Sequence, residues 1–312
     1  MNPFWSEPDT LHAELDIRTP EDSAVLADVT RRWIEAGVRV LAGDQVQALL
    51  DAPALPTRSL TRHQGAFGEP GTPWGSLVVE PDGRGRQASL HAWTPETWEK
   101  FLGAADSRPR RMEVELSRLG EHGTPGGGEL VRIAVQRDYP GYLGWTRLVT
   151  FRTPRAAQDA AWEEAAQTTA AFLVDQAAGL RVPVAAGFVA DDIGGQASTP
   201  FESAVDLVAE EVLGTDLLRG YSWVTVVQDG ALQRLGGVAA LEGSGAFSEV
   251  RSLPDGGVVA RATERLLDYT EPAYRRVFEA LAPALSPGEP RRREFDRDRR
   301  LVYADATDVG SG

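Results

Sequence analysis

Residues 218–263 read LRGYSWVTVVQDGALQRLGGVAALEGSGAFSEVRSLPDGGVVARAT, and this stretch decides the fold. The spacing predicts a strand over 221–227, a helix over 230–241 and a strand over 247–253. A turn at Asp255-Gly256-Gly257 follows, then a strand over 258–263 and a helix over 271–285. The segment is nearly all apolar residues, glycine and turn formers. It is built to pack and to present a surface, and it carries little of the polar chemistry that catalysis uses.

The same alternation of elements appears upstream. Leu11, Ala13, Leu15 and Ile17 alternate with His12, Glu14, Asp16 and Arg18, which predicts a half-buried strand with its polar face in water. A helix over 20–36 follows, with Val25, Val29 and Trp33 on one stripe and Gly37 as its stop. A short strand at 38–41 and a short helix at 45–50 come next. Strands at 76–80 and 87–92 flank Pro81-Asp82-Gly83, and a helix covers 95–105. Met112, Val114 and Leu116 alternate with Glu113, Glu115 and Ser117. With strands over 131–135 and 145–152 they form a meander whose short connections require antiparallel neighbours. A long helix over 154–178, a strand over 180–190 and a helix over 200–213 lead into the opening segment.

Thr-Pro recurs at Thr19-Pro20, Thr94-Pro95, Thr153-Pro154 and Thr199-Pro200, each time before a helical run. Threonine caps orphan amides, and proline at the first helical position has no amide to satisfy. The fold expected is α+β: mostly antiparallel sheets with helices packed on one face, in two related lobes. The boundaries expected are an N-terminal lobe over 1–107, a C-terminal lobe over 108–288 and a charged, partly flexible tail over 289–312.

Composition narrows the function. With 312 residues, 42% hydrophobic and 25% charged, the chain is long enough to bury a substantial core. It has no cysteine, so disulfides, thiolate metal sites and cysteine nucleophiles are excluded. The N-terminal MNPFWSEPD lacks a basic region followed by an apolar run, and no apolar run approaches bilayer length, so a cytoplasmic protein is expected. The net charge of −14 repels nucleic acid and anionic membranes and favours a basic partner. Solubility is the plainer reading of the same charge.

Motifs for catalysis are missing. Gly83-Arg84-Gly85 is a hairpin turn, because Leu90 and Ala92 continue it as a strand and not a helix. The lone lysine, Lys100, lies in no phosphate loop, and Gly243-Ser244-Gly245 lacks the spacing of a nucleophile elbow. His12, His63, His91 and His122 show no metal-ligand spacing. His12 and His91 read as solvated strand residues. Asp191 and Asp192 open a glycine-rich loop that could hold Mg²⁺ with a third ligand, against the simpler reading of a surface loop. Neither Glu113/Glu115 nor Glu163/Glu164 has a pattern that marks acid–base work. Glu210 and Glu211 fall late in the helix predicted over 200–213, where the dipole disfavours anions, and this points to a surface kept for a partner. Tyr221 and Trp223 share one strand face and are either core or interface anchors. No cofactor and no metal is expected.

Arg219-Gly220-Tyr221-Ser222-Trp223, Leu235-Gly236-Gly237 with Leu241, the Gly256-Gly257 turn, Tyr274, Val277 and Leu281-Ala282-Pro283 together resemble the C-terminal part of a bacterial family of immunity proteins. That family was formerly catalogued as a domain of unknown function. It accompanies type VI secretion effectors, including VRR-type nucleases. Over residues 1–150 only the order of elements is compatible. The resemblance implies a cytoplasmic, non-enzymatic protein that binds and neutralises a cognate toxin, and it carries no catalytic residue over.

A basic toxin, for instance a nuclease, is the partner the charge fits, with Asp191, Asp192, Glu210, Glu211, Tyr221 and Trp223 as candidate contacts. Two alternatives stand beside this reading. One is an enzyme with a carboxylate site outside known motifs, built from Asp191 and Asp192 with an arginine of the meander. The other is a scaffold or assembly protein of a secretion or phage-like apparatus.

Overall fold

The structure is a computed structural model. It describes residues 10–52, 60–61, 65–83, 87–138, 142–153, 159–191, 198–292 and 299–309. The chain forms two compact units. One is continuous, residues 19–162. The other is discontinuous, residues 1–18 together with 163–312. The strands pair antiparallel and the helices connect them, so the fold is α+β.

The first strand, β1 (Leu11–Arg18), belongs to the discontinuous unit. The continuous unit begins with α1 (Ser23–Leu41), which is capped by Asp22: its carboxylate accepts from the amide of Ala24 at 2.8 Å. The cap is therefore Asp22 and not Thr19. The helix also runs on through Gly37 and takes in the strand expected at 38–41. Gly37 tolerates the helix because its bare Cα faces Ile133; an added Cβ would meet that side chain at 3.0 Å. Close packing, not chain termination, explains this glycine.

Next come α2 (Gly43–Leu50) and the hairpin of β2 (Pro73–Glu80) with β3 (Ser89–Ala92). Then follow α3 (Pro95–Gly103) and the meander β4 (Arg111–Leu119), β5 (Pro125–Arg137) and β6 (Trp145–Thr153). The strands of this unit lie in the order β3-β2-β4-β5-β6. The register aligns Leu77, Val114 and Ile133 on one face, against which α1 packs. Trp33 of α1 is buried and donates its indole N–H to the carbonyl of Val149 at 3.2 Å. Burying such a side chain contributes about 1.5–3 kcal/mol. Thr94 caps α3 in a full capping box with Thr97, as the Thr-Pro signal predicts. The residues after Thr153 that would test the third Thr-Pro lie outside the described residues.

In the discontinuous unit the strand order is β1-β7-β8-β10-β9. Its elements are α4 (Asp159–Gly179, from Glu163 on), β7 (Val184–Ala190), α5 (Pro200–Ala204) and α6 (Ala209–Val212). Then come β8 (Val224–Val227), α7 (Asp229–Arg234), α8 (Val238–Gly243), β9 (Glu249–Ser252), β10 (Val258–Arg261) and α9 (Glu271–Leu281). Two helices predicted as single rods are broken. The one at 200–213 is interrupted beyond α5, where Asp206 takes a left-handed φ of 54°. The one at 230–241 breaks at Gly236 and Gly237, both at φ 85°, a conformation that glycine adopts freely.

The unit boundaries differ from the lobes expected at 107/108. A cut there would sever β4 from β2, which pair along eight residues. β1 in turn pairs with β7 and so joins residues far along the chain. Such non-local pairing leaves no local signal in the sequence. Part of the tail expected over 289–312 is packed. Leu301, Val302 and Ala306 are buried, and residues 306–308 form a 3-10 turn.

Candidate functional site

Among the described residues of the discontinuous unit, a concentrated charge cluster is internal. Arg219 donates to Glu202 through Nε (3.1 Å to Oε1) and Nη2 (2.9 Å to Oε1 and 2.8 Å to Oε2). Its Nη1 donates to Glu14 at 2.6 Å and also to Asp16. His12 Nε2 lies 3.1 Å from Glu14 Oε2, and its ring centroid is 5.1 Å from that of Phe188. These five side chains are at most 4% exposed. The polar face of β1 thus points inward and meets an arginine. The expectation of a solvated strand face and a solvated His12 is corrected. In water these carboxylates would need no partner, but inside the unit each needs a cation or a donor.

Local sequence explains how Arg219 arrives there. Thr199 caps α5, its hydroxyl accepting from the Glu202 amide at 3.1 Å, while Glu202 Oε2 accepts from the Thr199 amide at 3.4 Å. Glu202 therefore closes a capping box and clasps Arg219 with one carboxylate. Gly220 lets the chain pass close: a Cβ there would sit 2.1 Å from Thr199 Oγ1. The Arg-Gly pair of the opening segment fits the Thr-Pro-Phe-Glu start of α5. The signal for this cluster was an arginine beside an apolar run and a strand with acidic residues two apart. Periodicity alone assigned the acidic strand face to solvent.

Tyr221, Trp223 and Asp191, three of the candidate contact residues, are buried or largely covered. Tyr221 and Trp223 are core, 1% and 0% exposed. The Tyr221 ring packs between Phe201 and Phe278, and its hydroxyl accepts from the Val302 amide at 2.9 Å. The Trp223 indole donates to the carbonyl of Thr263 at 3.0 Å. Neither is a surface anchor, because satisfying a buried hydroxyl and indole consumes the groups an interface would use. Asp191 is largely covered and ion-paired with Arg300. Asp192 lies outside the described residues. Glu210 and Glu211 both fall in α6, and Glu211 is exposed. Because α6 starts at Ala209, these glutamates occupy the first turn of a separate short helix, where the dipole favours anions. The argument from misplacement late in a helix is overturned.

In the continuous unit Glu113 and Glu115 are not solvated either. Arg132 lies 2.7 Å from Glu115 and 3.8 Å from Glu113, and Arg111 pairs with Glu113. These two carboxylates hold Arg132 charged above the usual arginine range against the opposing effect of burial. Glu163 of α4 accepts from the amides of Leu266 and Leu267 at 3.2 and 3.3 Å, a structural tie. Among the described residues no group of three or more His, Asp or Glu side chains is placed to hold a metal ion. None of the described helices is long and apolar enough to cross a membrane. A hollow beside Leu26, Met112, Val135 and Arg137 has room for about one water.

No family model matches the chain, and no curated protein matches it. Among solved structures it is similar to the T6SS protein PA0821 of Pseudomonas aeruginosa. The TM-score is 0.52 and the identity 15%, with 89% of this chain and 77% of that chain covered. The fold is shared with a type VI secretion protein. At that identity the likeness is one of architecture, and it spans both units of the chain.

Proposed function

We propose that the chain is a non-enzymatic immunity protein of the type VI secretion setting: a cytoplasmic, acidic binder that neutralises a basic toxin. A nuclease is the toxin class that best fits the charge. The observation that carries this reading is the surplus of 46 acidic over 32 basic residues. Among the described residues, the ionic cluster around Arg219 is enclosed and tied to the protein's own fold. Opposed potentials steer association and select the partner. The fold shared with a type VI secretion protein supports the setting. The resemblance of residues 219–283 to immunity proteins supports the role.

The test is titration of a purified basic nuclease domain of a type VI effector with this protein. One equivalent of purified protein abolishes toxin activity, and the association rate falls steeply with ionic strength. Charge reversal in α6 (Glu210→Lys with Glu211→Lys) slows association and leaves the thermal transition in place. Rates unchanged by the reversal would remove α6 from the interface. Toxin left fully active by excess protein would end the reading.

A further inference from the structure

The discontinuous unit holds its own residues 299–309 the way a receptor holds a peptide. The segment contains no helix or strand apart from the 3-10 turn at Ala306–Asp308. Arg300 pairs with Asp191 and its guanidinium lies 5.7 Å from the centre of the Tyr269 ring. Arg299 reaches the Ser203 hydroxyl at 3.5 Å. Leu301 and Val302 are buried, and the Val302 amide donates to the Tyr221 hydroxyl. The turn at 306–308 packs on the turn at Ala282–Ala284. Nearer α5, Arg291 pairs with Asp206 at 2.8 Å and its amide donates to the Ala204 carbonyl at 2.8 Å. Asp206 holds the left-handed conformation noted above.

This groove makes two kinds of contact: the Asp191 carboxylate for Arg300 and a buried seat for Leu301 and Val302. Its occupant opens with Arg299-Arg300-Leu301-Val302, two cations followed by two aliphatic residues, in a chain of net charge −14. We infer that this groove is an exchangeable site for an extended arginine-plus-aliphatic segment of the protein partner, with residues 299–309 as its resident competitor. Main-chain hydrogen bonds and side-chain seats are the usual means of gripping an extended peptide. A resident segment lowers the apparent affinity for any competitor by the fraction of time the groove is filled. The inference rests on the toxin-binding reading only for the identity of the competitor.

The experiment uses a labelled peptide of residues 299–309 and the full chain. Arg299→Gln with Arg300→Gln loosens the resident segment and leaves its Leu301 and Val302 in place. This variant binds the peptide about tenfold more tightly than the unaltered chain, a change of ~1.4 kcal/mol. Adding Asp191→Asn removes the gain, and a peptide with both arginines replaced by glutamine does not bind. Equal affinity of both chains, or a gain that survives Asp191→Asn, overturns the inference.

Should the variant fail to fold, a protease site inserted after Gly288 gives a cut chain whose terminal fragment exchanges with labelled peptide. A fragment that does not exchange at excess peptide is equally fatal. Capture of the resident segment by a second copy would appear as a dimer in place of exchange and would also overturn it. Peptide exchange with no toxin capture would sink the toxin reading and spare the groove. The reverse result would do the opposite.

Discussion

Glu202 holds Arg219 in a two-pronged grip while closing the N-terminal cap of α5 with its neighbour Thr199. One carboxylate thereby ties a helix start to the segment that leads into β8. Glu14 and Asp16 of β1 complete the enclosure. The fork of a guanidinium matches a carboxylate edge-on, and a lysine ammonium has no such geometry. Buried ion pairs add little net stability when whole, but losing one partner strands the others.

Arg219→Ala leaves Glu14, Asp16 and Glu202 inside the unit without their shared cation. The expected loss is about 3–5 kcal/mol in urea unfolding at neutral pH. Arg219→Lys recovers only part of it. A loss below ~1 kcal/mol for Arg219→Ala would show that the cluster is not structural.

Gly220→Ala drives a methyl group into Thr199 Oγ1. The expected cost is about 1–3 kcal/mol from overpacking. In a Thr199→Ala background the same change costs less, because the clashing oxygen is gone. A double-mutant cycle measures this coupling; additive effects would contradict the close approach.

Asp82 in the continuous unit is held below the ordinary aspartate range, first by a hydrogen bond from Arg137 and then by that arginine's charge. Because the folded value is the lower one, the stabilisation is complete above the unfolded value of about 3.8 and is lost as pH falls through the folded value. Asp82 is 64% exposed, so solvent screening keeps the effect small. Arg137→Gln returns the carboxyl to the ordinary range in an NMR titration. An unmoved midpoint would assign the shift elsewhere.

Local rules recovered much of the fold. Alternation located β1, β4 and β5, and the Thr-Pro signal placed the caps at Thr94 and Thr199. The failures share a cause, since each concerns what lies across space. Gly37 looked like a stop because its contact with Ile133 comes from a distant strand. The pairing of β1 with β7 decides the unit boundaries, yet nothing near residue 18 announces it. The site was the least legible part. His12, Glu14 and Asp16 have the spacing of a wet strand face, and only the arrival of Arg219 turns that face into an interior. Tyr221 and Trp223 are equally suited to core and interface by type, and burial decided for the core.

The most direct test of the central claim is calorimetric titration of a basic type VI nuclease effector with this protein at low and high salt, with toxin activity followed in parallel. The account predicts a one-to-one complex, loss of toxin activity at equivalence and an affinity that weakens as salt rises. Toxin that stays active beside saturating protein, or binding indifferent to salt, would contradict it.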